Sequence, residues 1–244
     1  MGNMREEITA QIIDINRQFY QSFGTEFSRT RRRVQPGVRK IVERIGRDDS
    51  LLDVGCGNGE FIRQLAANGH RAPILGVDFS LPLLEDAKLI PEDFPATFHA
   101  FDITEKEWTE VSGQYSVITC FAMLHHIPSE ATRLQILRNI HQRLAQQGQF
   151  IHSNWQFLNS ERLRKRIQGW DIVGLDAADV DEGDYLLDWR SGGTGYRYAH
   201  HYSEAELAYL AEMSGFKVVE TFYSDGAAGD LGLYQVWEKN SVAG

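Results

Sequence analysis

Leu51-Leu-Asp-Val-Gly-Cys-Gly-Asn-Gly-Glu60 is a short apolar run broken by glycines at 55, 57 and 59. Behind it Phe61, Leu65 and Ala66 recur at helical spacing. A strand, a turn that needs backbone freedom, and a helix in that order form one strand–loop–helix unit. Outward from it the pattern repeats. Ile74-Leu-Gly-Val77 ends in Asp78, a run around Phe98 to Phe101 ends in Asp102, and Tyr115 to Met123 ends at His125-His126. Leu134, Leu137, Ile140 and Leu144 then follow a helical period, Gly148 reads as its stop, and Gln149 to Ser153 reads as a fifth strand. Ser203-x-x-Glu206 has the form of a capping box and opens a helix through Leu207, Leu210 and Met213. Strands near Lys217–Tyr223 and Leu233–Glu238 finish the pattern. This alternation predicts the α/β class, a doubly wound, seven-stranded and mostly parallel sheet. The short connection between the last two strands predicts an antiparallel edge strand.

Two segments fall outside that core. Residues 1–47 are helical in pattern and stand apart from the main domain, 48–244. Residues 155–202 carry Trp155, Trp170, Tyr185, Trp189, Tyr196 and Tyr198, with a glycine break at 192, 193 and 195. A connection this long in a compact domain is usually functional, and this one reads as a cap over substrate.

Composition narrows the function. The chain has 244 residues, 42% hydrophobic and 24% charged, an ordinary globular make-up. Two separated cysteines, Cys56 and Cys120, in no metal-binding spacing, suit a reducing compartment, and a cytoplasmic location is expected. No apolar run reaches the ~20 residues that span a bilayer. The net charge of −9 has the wrong sign for a dedicated nucleic-acid binder. Locally the sign reverses, in Arg29 to Lys40 and again in Arg162, Arg164, Lys165 and Arg166. Those stretches are either solvated helix faces or an RNA footprint.

The glycine loop can bring backbone close to a ligand at the C-terminal edge of the sheet. It departs from the dinucleotide fingerprint, because the third glycine comes one residue early and Glu60 takes the sixth position. A pyrophosphate needs bare helix N–H groups and tolerates such acids poorly. A cationic ligand welcomes them. Asp53 and Glu60 flanking the loop therefore favour S-adenosylmethionine, with S-adenosylhomocysteine as product. Gly55, Gly57 and Asn58 form the cradle. Asp78, 23 residues after Gly55, is placed to accept both ribose hydroxyls. Phe79 covers an adenine face, Asp102 and Ile103 meet the adenine edge, and Phe121 closes the site, unless Asp102 merely caps a helix and Phe121 is core.

The glycine motif, Asp78, Asp102 and Phe121-Ala-Met-Leu-His-His126 together resemble class I methyltransferases, whose fold is Rossmann-like. Phe19-Tyr-Gln-Ser-Phe-Gly-Thr-Glu-Phe-Ser-Arg-Thr-Arg31 and Tyr196-Arg-Tyr-Ala-His-His-Tyr-Ser-Glu-Ala-Glu-Leu207 resemble segments of the tRNA wobble-uridine methyltransferases. That resemblance implies methylation of the carboxylate of 5-carboxymethyluridine in tRNA, and a small activating partner protein. It is set against a small-molecule O- or N-methyltransferase with an aromatic lid, and against an inactive domain kept as a binding module.

A carboxylate acceptor is ionised at pH 7 and needs orientation rather than a base. A guanidinium suits that task, so Arg31 and Arg197 are the candidates, with Tyr198 or His200 donating a further hydrogen bond. A hydroxyl or amine acceptor would lean instead on His125 or His126. If those two lie on a strand they point in opposite directions, which is poor geometry for one metal, and no metal is expected. Alternation puts Tyr196, Tyr198, His200 and Tyr202 on one face, with Arg197 and His201 opposite.

Overall fold

The computed structural model describes residues 4–30 and 33–240. A long helix α1 (Glu6–Thr30) and a short α2 (Pro36–Val42) precede β1 (Leu51–Val54). Then follow α3 (Glu60–Ala67), β2 (Ile74–Asp78), α4 (Leu81–Ala87), β3 (Ala96–Ala100), β4 (Tyr115–Phe121), α5 (Glu130–Arg143) and β5 (Leu144–Trp155). An insertion carries α6 (Glu161–Arg164), β6 (Ile167–Gln168), β7 (Asp184–Trp189) and β8 (Gly195–His200). The chain then returns through α7 (Glu204–Met213), β9 (Phe216–Ser224) and β10 (Gly232–Lys239).

The central sheet has seven strands in the order β3-β2-β1-β4-β5-β10-β9. Chain order reverses between β1 and β4, so loops after those strands diverge and leave a crevice at their C-terminal ends. β10 runs antiparallel to both neighbours, β5 and β9. The reversed strand thus lies one place in from the edge, because the second arm of the final hairpin inserts beside β5. Strand alternation splits the core into two layers. Leu52, Val54, Ile118, Phe150 and Trp237 pack on one face, and Leu51, Ile74, Val117, Ile151 and Val236 on the other.

Gly148 does not stop α5. The helix ends at Arg143, whose guanidinium takes the carbonyls of Val111 and Trp108. Gly148 lies within β5, where a Cβ would come 2.8 Å from the Ser116 carbonyl. Close strand approach requires the glycine there.

The insertion builds its own three-stranded antiparallel sheet, β6-β7-β8. The residues from 195 to 200 are indeed extended, but they pair with β7 rather than with the central sheet. α1 bridges the two parts. Ile8 and Ile12 pack with Leu175 and Tyr198, while Phe19 and Tyr20 pack with Leu83 and Trp189. Asn16 accepts the Tyr198 N–H at 2.8 Å and donates to the His126 carbonyl at 3.0 Å. Ser28 donates to Asp86 at 2.6 Å. Among the described residues no helix is long and apolar enough to cross a membrane.

Candidate active site

β1 delivers the glycine loop to the crevice. Gly55 has φ +75°, and a Cβ on it would stand 2.6 Å from the Met123 side chain. Gly57 has φ +53°, and a Cβ there would meet nothing within 4 Å. Its backbone therefore faces open space, a cradle for a ligand. Asp78 at the end of β2 braces the loop, accepting the Gly57 N–H at 2.9 Å and the Ser80 N–H at 2.8 Å. Burial drives its pKa up and those two donors pull it partly back, leaving it at about 6.

Asp53 takes another position from the one expected. It lies under the loop, 2% exposed, accepting the Thr119 hydroxyl at 2.7 Å, and is not among the residues lining the cavity. Burial pushes its pKa up to about 7, against the Thr119 bond and with some help from Asp78. It is the floor of the site.

A cavity of about 810 Å³ opens above the loop. Gly55, Gly57, Asn58, Asp78, Phe79, Asp102, Ile103, Phe121, His125 and Arg197 all line it. Asn58 ties the loop to α1 through a 3.1 Å bond to Ser28. Asp102 accepts the Thr104 N–H at 2.9 Å, the Thr104 hydroxyl at 2.7 Å and the Arg17 guanidinium at 2.5 Å. Burial acts to raise its pKa, but Thr104 and Arg17 outweigh it and hold the carboxyl below the ordinary value. Asp102 thus caps its own turn and anchors α1, and still borders the cavity. The open glycine backbone, the Asp78 carboxylate on the cavity wall and the apolar ring of Phe79 fit a nucleoside.

The far end of the cavity differs in chemistry. Arg197 leans on three aromatic rings, its Cζ 4.7 Å from the Trp155 centroid and 5.6 Å from those of Phe19 and Trp189. Arg162, Arg166 and Arg190 share the cavity wall. The second basic stretch therefore divides: Arg162 and Arg166 turn inward, whereas Arg164 takes the Leu158 carbonyl and Lys165 pairs with Glu161 at 2.7 Å.

His125 and His126 do not alternate. β4 stops at Phe121, Ala122 takes φ +51°, and Leu124–His126 forms a 3-10 turn, so the two-residue period no longer applies. Their rings lie 4.3 Å apart, centroid to centroid. Among the described residues no group of three or more His, Cys, Asp or Glu could hold a metal ion.

Tyr198 and His200 are absent from the cavity lining. They point to the opposite side of β8 from Arg197, into a buried cluster with Arg133, Asp184 and Glu206. The Tyr198 hydroxyl donates to Asp184 at 2.6 Å and accepts from Arg133 at 2.8 Å. His200 places Nδ1 2.6 Å from Asp184 and Nε2 2.9 Å from Glu206. Glu206 is drawn inward by this cluster, so the capping box is half made: Ser203 accepts the Glu206 N–H at 3.1 Å without a carboxylate in return. Alternation along β8 was legible, but which face met the cavity was not. Arg31 lies outside the described residues.

Two side chains at the site were given no role there by the sequence. Tyr20 and Arg17 arrive from α1, whereas Trp189, named with the cap, arrives from β7. Tyr20 and Arg17 sit on one helix face with Ile13, a pattern equally expected of a helix packed on a core.

A profile of the methyltransferase domain family matches residues 27–221. The chain belongs to that family. This methyltransferase is 27% identical over 224 residues to a protein of Encephalitozoon cuniculi provisionally named a methyltransferase, covering 91% of this chain and 94% of that one. It is 29% identical over 169 residues to the ubiquinone biosynthesis O-methyltransferase of Nitrosomonas europaea, covering 69% of this chain and 63% of the relative. It thus spans less than two thirds of that enzyme. Among solved structures, the DhpI–SAM–HEP complex superposes with a TM-score of 0.70 at 16% identity, covering 93% of this chain and 98% of that one. The Burkholderia thailandensis 1,6-didemethyltoxoflavin-N1-methyltransferase does so at 0.64 and 18%, covering 99% and 92%. The expectation of a methyl-transferring enzyme on a doubly wound sheet agrees with this membership.

Proposed function

We propose that this methyltransferase uses S-adenosylmethionine to methylate a small acceptor that carries an anionic group. One observation carries the reading: a single cavity joins the Gly57–Asp78 end to a wall of arginines and aromatic rings. Its volume of about 810 Å³ lies within the range of small-molecule and cofactor sites. S-adenosylmethionine supplies an electrophilic methyl group. The chain's own residues do the rest. Gly55, Gly57 and Asn58 admit the donor, Asp78 accepts its ribose hydroxyls, and Phe79, Ile103 and Phe121 line the adenine end. At the other end Arg197, steadied by Trp155, Phe19 and Trp189, holds the acceptor's anionic group and so fixes its angle of approach. The insertion, about residues 155–202, acts as the cap, since it contributes Trp155, Arg162, Arg166, Trp189 and Arg197 to that wall. The relatives named as ubiquinone O-methyltransferases support a small acceptor, and the buried free thiols Cys56 and Cys120 suit the cytoplasm.

Tritiated S-adenosylmethionine offered with a small-metabolite extract and, separately, with bulk tRNA tests the reading. Label is expected in an anionic small molecule. Label in tRNA, released as methanol by mild alkali, would install the wobble-uridine carboxylate reading in its place. For the metabolite so identified, Arg197→Met is expected to raise KM at least tenfold, the loss of about 1.5–3 kcal/mol that a charged hydrogen bond contributes. An unchanged KM would remove Arg197 from acceptor binding.

A further inference from the structure

Tyr20 and His126 meet at the cavity wall, the tyrosine hydroxyl 2.9 Å from His126 Nε2. The other ring nitrogen, Nδ1, lies 2.8 Å from the Tyr198 carbonyl. A carbonyl oxygen only accepts, so Nδ1 carries the proton. In the neutral ring Nε2 is then the lone-pair side, and the Tyr20 hydroxyl donates to it. The neighbouring histidine is set the other way. His125 Nδ1 accepts the Trp155 backbone N–H at 3.3 Å, which puts the proton of its neutral ring on Nε2. Two adjacent imidazoles, both on the cavity, are thus held in opposite tautomers by backbone groups.

We infer that Tyr20 and His126 form a relay that removes a proton from a hydroxyl acceptor, making this an O-methyltransferase of hydroxyl-bearing anions. The inference rests on the small-acceptor reading above. The Tyr20 oxygen takes the acceptor's proton while its own proton passes to His126 Nε2. The acceptor oxygen forms the new bond to the methyl carbon, the sulfur–methyl bond breaks, and its electron pair stays on sulfur. The positive charge lost from sulfur reappears on the His126 ring, so charge balances. Tyr20 is the group that touches the acceptor. His126 is a positioning residue that acts through it, and Tyr198, through its carbonyl alone, fixes the tautomer. A carboxylate nucleophile would need none of this, because it has no proton to lose at neutral pH.

The chain's geometry supports the relay from more than one side. The Tyr20 ring packs edge-on against His126 at 5.6 Å and against Phe79 at 6.0 Å, so its hydroxyl is aimed rather than free to swing. Asn16, one turn earlier on α1, holds both the His126 carbonyl and the Tyr198 backbone, which locks the register of the two elements. The arginine wall lies on the same cavity, ready to hold a second, charged group of the acceptor.

The test reads the free protein first. Nitrogen-15 histidine NMR, assigned with His125→Gln and His126→Gln, is expected to show the Nδ1–H tautomer for His126 and the Nε2–H tautomer for His125. A proton on Nε2 of neutral His126 would overturn the relay. Next, 4-hydroxy-3-nitrobenzoate, a hydroxyl with a carboxylate, is titrated into the protein with S-adenosylhomocysteine present, and its phenolate absorbance is read at pH 6. The bound probe is expected to be ionised at least tenfold further than in Tyr20→Phe or His126→Gln. Equal ionisation in wild type and variants would overturn the relay while leaving anion binding intact. Failure of the wild type to bind the probe, with the tautomers as expected, would instead overturn the small-anion reading beneath it.

Discussion

Replacing Arg133 with methionine is expected to destabilise the folded chain by about 3–5 kcal/mol, the usual cost of stripping one partner from a buried ion pair. Arg133 is 2% exposed and comes from α5. Its Nε donates to the Ile127 carbonyl at 2.9 Å, and Nη2 reaches the Tyr198 hydroxyl at 2.8 Å and Asp184 at 3.3 Å. Nη1 reaches Glu206 at 3.4 Å, and the guanidinium lies over the Tyr202 ring at 5.3 Å. Methionine keeps the volume and loses every one of those bonds. Asp184, with a fully buried side chain, would then face Glu206 with only the Tyr198 hydroxyl and His200 between them. Urea unfolding measures the loss. Adding Asp184→Asn to the same chain removes the stranded charge and should return at least about 1 kcal/mol, a coupling typical of residues in one network. A single variant within ~1 kcal/mol of wild type would mean that the cluster is not what joins the insertion to α5 and α7.

Asp78→Ala is expected to weaken S-adenosylmethionine binding by about 2–3 kcal/mol, roughly 30- to 150-fold, because a charged acceptor of buried hydroxyls is removed. The pH dependence is a second signature. With the free carboxyl at about 6, donor binding draws on the ionised form, so affinity falls about tenfold per pH unit below 6. The alanine variant should lack that dependence. The sign for folding is opposite. A carboxyl raised from 3.8 to about 6 binds its proton more tightly folded than unfolded, so its contribution to stability declines as pH rises through that window. Calorimetry from pH 5 to 8 checks the first part. Identical affinities for wild type and variant would remove Asp78 from the ribose.

The glycine-loop end of the cavity was legible because its residues are local to strand ends. Gly55, Gly57, Asn58 and Asp78 fall where a strand must turn, and the succession of strands and helices follows from alternation of period-2 and period-3.6 patterns. The arginine-lined end was not. Arg197 does line the cavity, but Tyr198 and His200, named with it, do not, since adjacent residues on a strand face opposite ways. Settling the choice needs Arg133 and Glu206, which come from helices far along the chain and mark the buried side. His125 and His126 misled for a related reason. Their geometry depends on the strand ending at Phe121, and no proline or glycine marks that end. The extended run from Tyr196 to Tyr202 was legible in the segment read as a cap, but its pairing with β7 in a second sheet, β6-β7-β8, was not.

α1 also governs the order in which the molecule can be assembled on the ribosome. It is made before every element it docks on. Arg17 waits for Asp102, 85 residues later, Tyr20 for His126, 106 later, and Asn16 for Tyr198, 182 later. Leu83 of α4 can cover Phe19 and Tyr20 early, but Ile8 and Ile12 wait for Leu175 and Tyr198, and closing so long a loop comes late for entropic reasons. The crevice between β1 and β4 can therefore form before its roof does. In pulse-labelled hydrogen exchange during refolding, the amides of α1 should gain protection after those of the central sheet, and the nascent enzyme should bind donor only once its first helix has come home.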